Sequence, residues 1–171
     1  MSTTLPQTND FGGTPLVSLQ AIAEAIRANG TDCEIVGDAS TEIRGVAIDS
    51  RKAAATCLFI CKGAGFKPAF LESAIASGAV AYLCQGELDE QGKLTAPADL
   101  AAAAAGTPAI VAADVRRAMA TASKVAYGDP STGLNIVGIT GTKGKTTTSY
   151  MLHAITDAAE VSTSILGSIE T

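Results

Sequence analysis

The sequence predicts an α/β protein built in two pieces, and three observations lead there. Short apolar runs such as Cys33-Glu34-Ile35-Val36, Leu58-Phe59-Ile60 and Ala109-Ile110-Val111 alternate with stretches whose apolar residues recur at helical spacing. The run Asp129-Pro130-Ser131-Thr132-Gly133 puts two breakers and three polar residues into five positions and marks a boundary. Beyond it an apolar stretch, Leu134-Asn135-Ile136-Val137, meets a glycine-rich turn and then a second helical stretch. The expected organisation is a flexible leader over 1–14, an α/β domain over 15–130, and over 131–171 the first strand, turn, helix and strand of a second domain.

Each element has its own local reason. Ser18 can cap a helix that carries Leu19, Ile22, Ala23 and Ile26 on one face. Asn29-Gly30 ends it, because glycine takes the left-handed conformation after a last turn. Strands follow at Cys33-Glu34-Ile35-Val36, over 42–48, and at Leu58-Phe59-Ile60. Pro68 suits the first turn of a helix presenting Phe70, Leu71, Ala74 and Ile75 to a core, and Gly78 closes that helix. Val80-Ala81-Tyr82-Leu83 is the next strand. Residues 85–107, with Gly86, Asp89, Gln91, Gly92, Pro97 and an alanine run, read as a surface insertion with one short helix and no chemistry. Asp114 caps a helix with Val115, Met119, Ala122 and Val125 inward, ending near Tyr127-Gly128. The last helix runs to about Ala159, and Ser164-Ile165-Leu166 is a closing strand.

Composition removes several function classes. The 171 residues are 47% hydrophobic with no Trp, so the core is built from Ala, Val, Ile and Leu. A net charge of −5 without a basic run argues against a nucleic-acid partner. No stretch reaches the 18 or so apolar residues that span a bilayer, so no membrane insertion is expected. Residues 1–14 lack the basic start and apolar core of a signal peptide, which points to the cytoplasm. Cys57 and Cys61 share one face of a strand. With Cys33 and Cys84 they read as small buried hydrophobes rather than disulfides or a metal site. The lone histidine, His153, reads as a helix-surface or packing residue.

The chemistry concentrates in Gly138-Ile139-Thr140-Gly141-Thr142-Lys143-Gly144-Lys145-Thr146-Thr147. Strand, glycine-rich turn, Gly-Lys-Thr and helix make the layout of a phosphate-binding loop. Glycines let consecutive N–H groups point into one nest, and the helix start adds partial positive charge. Lys145 can reach the terminal phosphates, and the Thr146 hydroxyl can ligate Mg²⁺. The generic spacing needs glycine at 139, where this chain has Ile139. The bland alternative is a glycine-rich turn that binds nothing.

The run from Thr140 to Thr147 resembles the phosphate loop of the Mur ligase family, in which the glycine at that first position is also absent. These ATP-dependent enzymes add amino acids to the peptide stem of the bacterial cell-wall precursor. A second set of segments carries the same resemblance: Gly45-Val46-Ala47-Ile48-Asp49-Ser50-Arg51, Cys57-Leu58-Phe59-Ile60-Cys61-Lys62-Gly63, Phe70-Leu71-Glu72-Ser73-Ala74-Ile75 and Gly78-Ala79-Val80-Ala81-Tyr82. These look like the N-terminal domain of the branch that adds the third residue, a diamino acid. The D-alanyl-D-alanine-adding branch is the nearest rival. The resemblance covers roughly residues 18–171.

What the resemblance implies is specific. ATP would be wrapped by Gly141, Thr142, Lys143, Gly144, Lys145, Thr146 and Thr147, with Lys145 the catalytic residue and Thr146 the Mg²⁺ ligand. The UDP part of a UDP-N-acetylmuramoyl dipeptide would meet Ile48, Asp49, Ser50, Gly63, Ala64 and Gly65. Asp49 and Arg51 could equally form an ion pair bracing the strand end, and Lys143 could project into solvent. The implied reaction passes through an acyl phosphate that the amine of the diamino acid then attacks. The stretch after Gly63 lacks an Asp-Gly pair and looks like lysine-adding enzymes, although diaminopimelate stays open. The chain is expected to be a monomeric fragment, inactive alone, because further strands and a C-terminal domain are wanting. A non-catalytic nucleotide-binding module is the alternative from another class.

Overall fold

The computed structural model describes residues 14–63 and 65–167. The expected leader up to residue 13, the site candidate Ala64 and the last four residues lie outside them. The chain divides into two compact units between Pro130 and Ser131.

The first unit holds β1 (Val17–Ser18), α1 (Leu19–Ala28), β2 (Cys33–Val36), β3 (Glu42–Ile43), β4 (Gly45–Ala47), β5 (Cys57–Cys61) and α2 (Pro68–Ala76). It continues with β6 (Ala79–Gln85), β7 (Glu87–Leu88), β8 (Leu94–Thr95), α3 (Ala98–Ala103), β9 (Ala109–Ala112) and α4 (Val115–Ala126). Five strands form the main sheet in the order β2-β9-β6-β5-β4. The four from β9 to β4 are parallel, and β2 joins β9 antiparallel. A parallel sheet must be covered on both faces, and the residues of its strands divide accordingly. Leu58, Ile60, Ala81, Leu83 and Ile110 pack with α1 and α4. Cys57, Phe59, Cys61, Tyr82, Cys84 and Val111 pack with α2 and Leu100 of α3. The period-2 alternation of the strands thus feeds two cores, one per face.

Local signals terminate the elements where expected. Ser18 Oγ accepts from the Ala21 N–H, and Asp114 Oδ1 accepts from the N–H groups of Arg116 and Arg117. Gly78 stands at φ +108°, and a Cβ there would lie 3.0 Å from Ala55 backbone atoms.

Four expectations need correction. The strand over 42–48 is two strands: β3 pairs antiparallel with β1, while β4 joins the main sheet. The chain changes partner at Arg44, whose N–H donates to Thr56. Residues 85–107 are not only a surface insertion, because Leu100 and Ala104 are buried in the second core. At Gly86 the side chains of Leu94 and Val111 close in, so that a Cβ would meet Leu94 Cδ2 at 2.7 Å and Val111 Cγ1 at 2.9 Å unless they shifted. Phe70 stays 43% exposed. Leu71 and Ala74 take the buried face of α2, and Phe70, at its border, stacks edge-on against Phe66 at 6.1 Å.

The fourth correction concerns the second unit, which holds a short 3-10 turn (Pro130–Gly133 at the boundary) and α5 (Lys145–Ala158). The segments around Leu134-Asn135-Ile136-Val137 and Ser164-Ile165-Leu166 carry strand-like composition but form no strand. Leu134, Ile136 and Val137 are 64–71% exposed. A strand exists through its ladder, and no strand among the described residues of this unit offers one.

Candidate functional site

The candidate site residues fall in two places, one in each unit. In the second unit, Gly144 precedes α5 in the left-handed conformation at φ +81°, and Gly141 sits at φ +153°. These angles fold the chain sharply into the helix. The first intrahelical bond runs from the Thr148 N–H to the Gly144 carbonyl at 2.9 Å, and no side chain caps the helix. The N–H groups of Lys145, Thr146 and Thr147 therefore have no acceptor within the helix. They point the same way as the positive end of its dipole.

Lys145 folds back over the loop and donates to the Gly141 carbonyl at 2.6 Å. Lys145 and Thr146 line a cavity of 470 Å³ that runs along one flank of α5, past Ser149, Tyr150 and His153. Gly141, Thr142, Lys143, Gly144 and Thr147 are exposed around them. His153 Nδ1 meets Thr163 Oγ1 at 3.0 Å, and Thr163 meets Thr156 Oγ1 at 2.7 Å. No sequence pattern marks this cavity-lining trio, since its members meet across seven to ten residues of chain.

The Thr146 hydroxyl, at the second position of α5, is a hard oxygen donor of the kind Mg²⁺ prefers. The carboxylates of this unit among the described residues are Asp157, in the last turn of α5 about 16 Å from Thr146 along its axis, and Glu160, past the helix end. The Thr146 hydroxyl has the chemistry of one such ligand, and neither of these carboxylates is near enough to join it.

In the first unit, β4 and β5 are adjacent parallel strands, and their C-terminal ends carry the second set of candidates. Open α/β sheets take ligands at that edge. After β4, Ile48 is 66% exposed and Asp49 caps a 3-10 turn, Ser50–Lys52. Asp49 Oδ1 accepts from the Arg51 N–H and Nε at 3.0 Å, and Oδ2 accepts from Nη2 at 2.7 Å. The Arg51 hydrogen bonds hold the Asp49 carboxyl down at about 2. Arg51 thus takes both carboxylate oxygens, so Asp49 acts here as a brace. Ser50 is half-buried at the head of the turn. After β5, Gly63 stands at φ +115°, and neither Gly63 nor Gly65 has an atom within 4 Å of where a Cβ would be. α2 packs against the Ser50 turn.

A parallel sheet covered on both faces, followed by a Gly-Lys-Thr helix start, defines the class: an α/β chain with a phosphate-loop motif. No family model matches the chain. The chain is 38% identical over 135 residues to UDP-N-acetylmuramyl-tripeptide synthetase of Latilactobacillus sakei, covering 78% of this chain and 24% of the relative. It is 35% identical over 144 residues to UDP-N-acetylmuramoyl-L-alanyl-D-glutamate--2,6-diaminopimelate ligase of Caldanaerobacter subterraneus, covering 82% and 27%. A solved structure of a ligase with that second name superposes with a TM-score of 0.55 at 25% identity, covering 85% of this chain and 26% of the other. Over the matched stretch the chain is a relative of the Mur ligases. It spans about a quarter of the length of the curated relatives it matches.

Proposed function

We propose that the chain is the substrate- and ATP-binding start of a Mur-type ligase of peptidoglycan precursor synthesis. In this reading 15–130 holds the UDP end of a UDP-N-acetylmuramoyl dipeptide, and 131–171 opens the ATP domain. The observation that carries it is the start of α5, where the N–H groups of Lys145, Thr146 and Thr147 have no acceptor within the helix and Lys145 and Thr146 line the adjoining cavity. The kinship to ligases whose names specify UDP-N-acetylmuramoyl substrates supports the other half.

The residues then have distinct tasks. Amides from Gly141 to Thr147 cradle the β- and γ-phosphates, and Lys145 leaves the Gly141 carbonyl for the γ-phosphoryl oxygens. Lys145 there balances charge that grows as the substrate carboxylate attacks phosphorus and ADP departs. Thr146 would hold Mg²⁺, which neutralises phosphate charge. Ser50 hydrogen-bonds the uridine diphosphate, Ile48 offers it an apolar surface, and Gly63, Ala64 and Gly65 let it approach the backbone closely. The amine of a diamino acid then attacks the acyl carbon of that acyl phosphate, forming the amide as the C–O bond breaks and inorganic phosphate and a proton leave. Lysine is favoured over diaminopimelate by the short stretch after Gly63. Ligation in this reading also uses parts of the enzyme outside the matched quarter, and the site works in the cytoplasm. Among the described residues no helix is long and apolar enough to cross a membrane.

Calorimetric titration with UDP and with Mg·ATP, each against Ser50→Ala and Lys145→Ala, tests the assignment. The expected result is two separable losses: Ser50→Ala weakens UDP alone, and Lys145→Ala weakens ATP alone. Binding of neither nucleotide by the unaltered chain would overturn it.

A further inference from the structure

Tyr127 ends α4, and its hydroxyl reaches β4. There it accepts from the Val46 N–H and donates to the Val46 carbonyl, each at 3.3 Å. β4 closes the sheet order, and its ladder partner there is β5. A three-residue edge strand with one ladder is the part of a sheet most prone to fray. The phenol gives Val46 what another strand would have given it.

The phenol is itself firmly mounted. The N–H groups of Tyr127, Gly128 and Asp129 donate to the carbonyls of Ser123, Val125 and Lys124 at 3.1, 3.1 and 2.8 Å. Asp129 adds an ion pair to Lys124 at 3.1 Å. Gly128 and Asp129 both take left-handed angles, φ +69° and +53°, which lock the end of α4. α4 also packs against β4. Val46 precedes Ile48 by two residues and Ser50 by four, so any slide or twist of β4 is passed directly to that turn.

We propose that Tyr127 is a positioning residue for the turn at Ile48, Asp49 and Ser50, fixing where Ser50 meets the uridine diphosphate. This rests on the reading of that turn as the UDP site. Sequence spacing could not show it, because Tyr127 and Val46 stand 81 residues apart.

Tyr127→Phe removes the hydroxyl and keeps the ring. Asn29→Ala serves as the control, since it removes a 2.9 Å bond from Asn29 to Thr121 in the middle of α4. UDP titration and amide exchange are measured on both variants and on the unaltered chain. Tyr127→Phe should speed exchange at Val46 and the turn and weaken UDP about three- to tenfold, as the loss of one or two hydrogen bonds gives. Asn29→Ala should bind UDP like the unaltered chain. Unchanged UDP affinity in Tyr127→Phe, or equal weakening in both variants, overturns the positioning role and leaves the UDP site standing. Failure of the unaltered chain to bind UDP removes the site itself and the role with it.

Discussion

Asp49 and Lys145 carry opposite lessons about charged residues in a motif. Asp49 gives both carboxylate oxygens to Arg51, and that pair lies at the surface, where ion pairs add little stability. Its effect is on local shape. The carboxyl titrates near 2 in the fold, below its ordinary 3.8, so the brace is complete above that ordinary value and is lost as pH falls toward 2. UDP affinity should therefore show no step from Asp49 between about pH 5 and 8. Arg51→Ala should return the Asp49 carboxyl toward its ordinary range, read by carboxyl NMR titration, and should loosen the turn. A carboxyl still near 2 would mean that Arg51 is not the cause. Lys145, by contrast, has a backbone carbonyl as its partner, which an anion can displace. In the complete enzyme Lys145→Ala should cost about 10²–10³ in kcat, the usual effect of removing one donor from a transition-state site. A change confined to KM would contradict the role given to it.

At the scale of elements, caps and glycines account for where most helices and strands stop. Gly78→Ala should be among the most damaging small changes in the first unit. The angle of +108° penalises any side chain, and the new methyl would press on Ala55 backbone rather than on a flexible tip. Thermal melting should show a loss above the ~1 kcal/mol that an ordinary cap substitution such as Asp114→Ala gives. Equal losses would show that the backbone there relaxes. These elements were legible because their signals are local: Ser18, Pro68, Gly78 and Asp114 each sit beside the element they delimit. The strand expected at 42–48 was less legible. Whether a β run stays in one sheet depends on partners far along the chain, here β1 and β5. Leu100 was missed because one apolar residue in an alanine-rich stretch has no periodicity to reveal it.

At the scale of the molecule, the first unit is a sheet buried on both faces, and its four thiols are inside it. Burial raises all four, with Cys84 pushed up to about 12 and Cys61 raised further by the neighbouring Cys84. The folded state keeps these protons where the unfolded chain would release them near 9. Stability from this source is whole below about 9 and declines as pH rises toward 12. Thiol reagents at neutral pH should label the cysteines only after unfolding, and rapid labelling of the native chain would contradict the packing. The second unit differs, because its strand-like segments have exposed apolar side chains and no ladder. Amide exchange should be slow in β5, β6 and β9 and fast around Leu134-Asn135-Ile136-Val137. The phosphate-loop motif is readable as a motif, since Gly141, Gly144 and Lys145 fall within five positions of one another. The Lys145 bond to Gly141 and the cavity beside Thr146 depend on folded geometry and are not.

In the proposed function the backbone from Gly141 to Thr147 closes around the phosphates of ATP. Residue-resolved amide exchange on the chain with and without Mg·ATP tests it most directly. Strong protection at Gly141 through Thr147 that Lys145→Ala abolishes is the expected outcome; an unchanged exchange pattern across that loop at saturating ATP would rule out phosphate binding there.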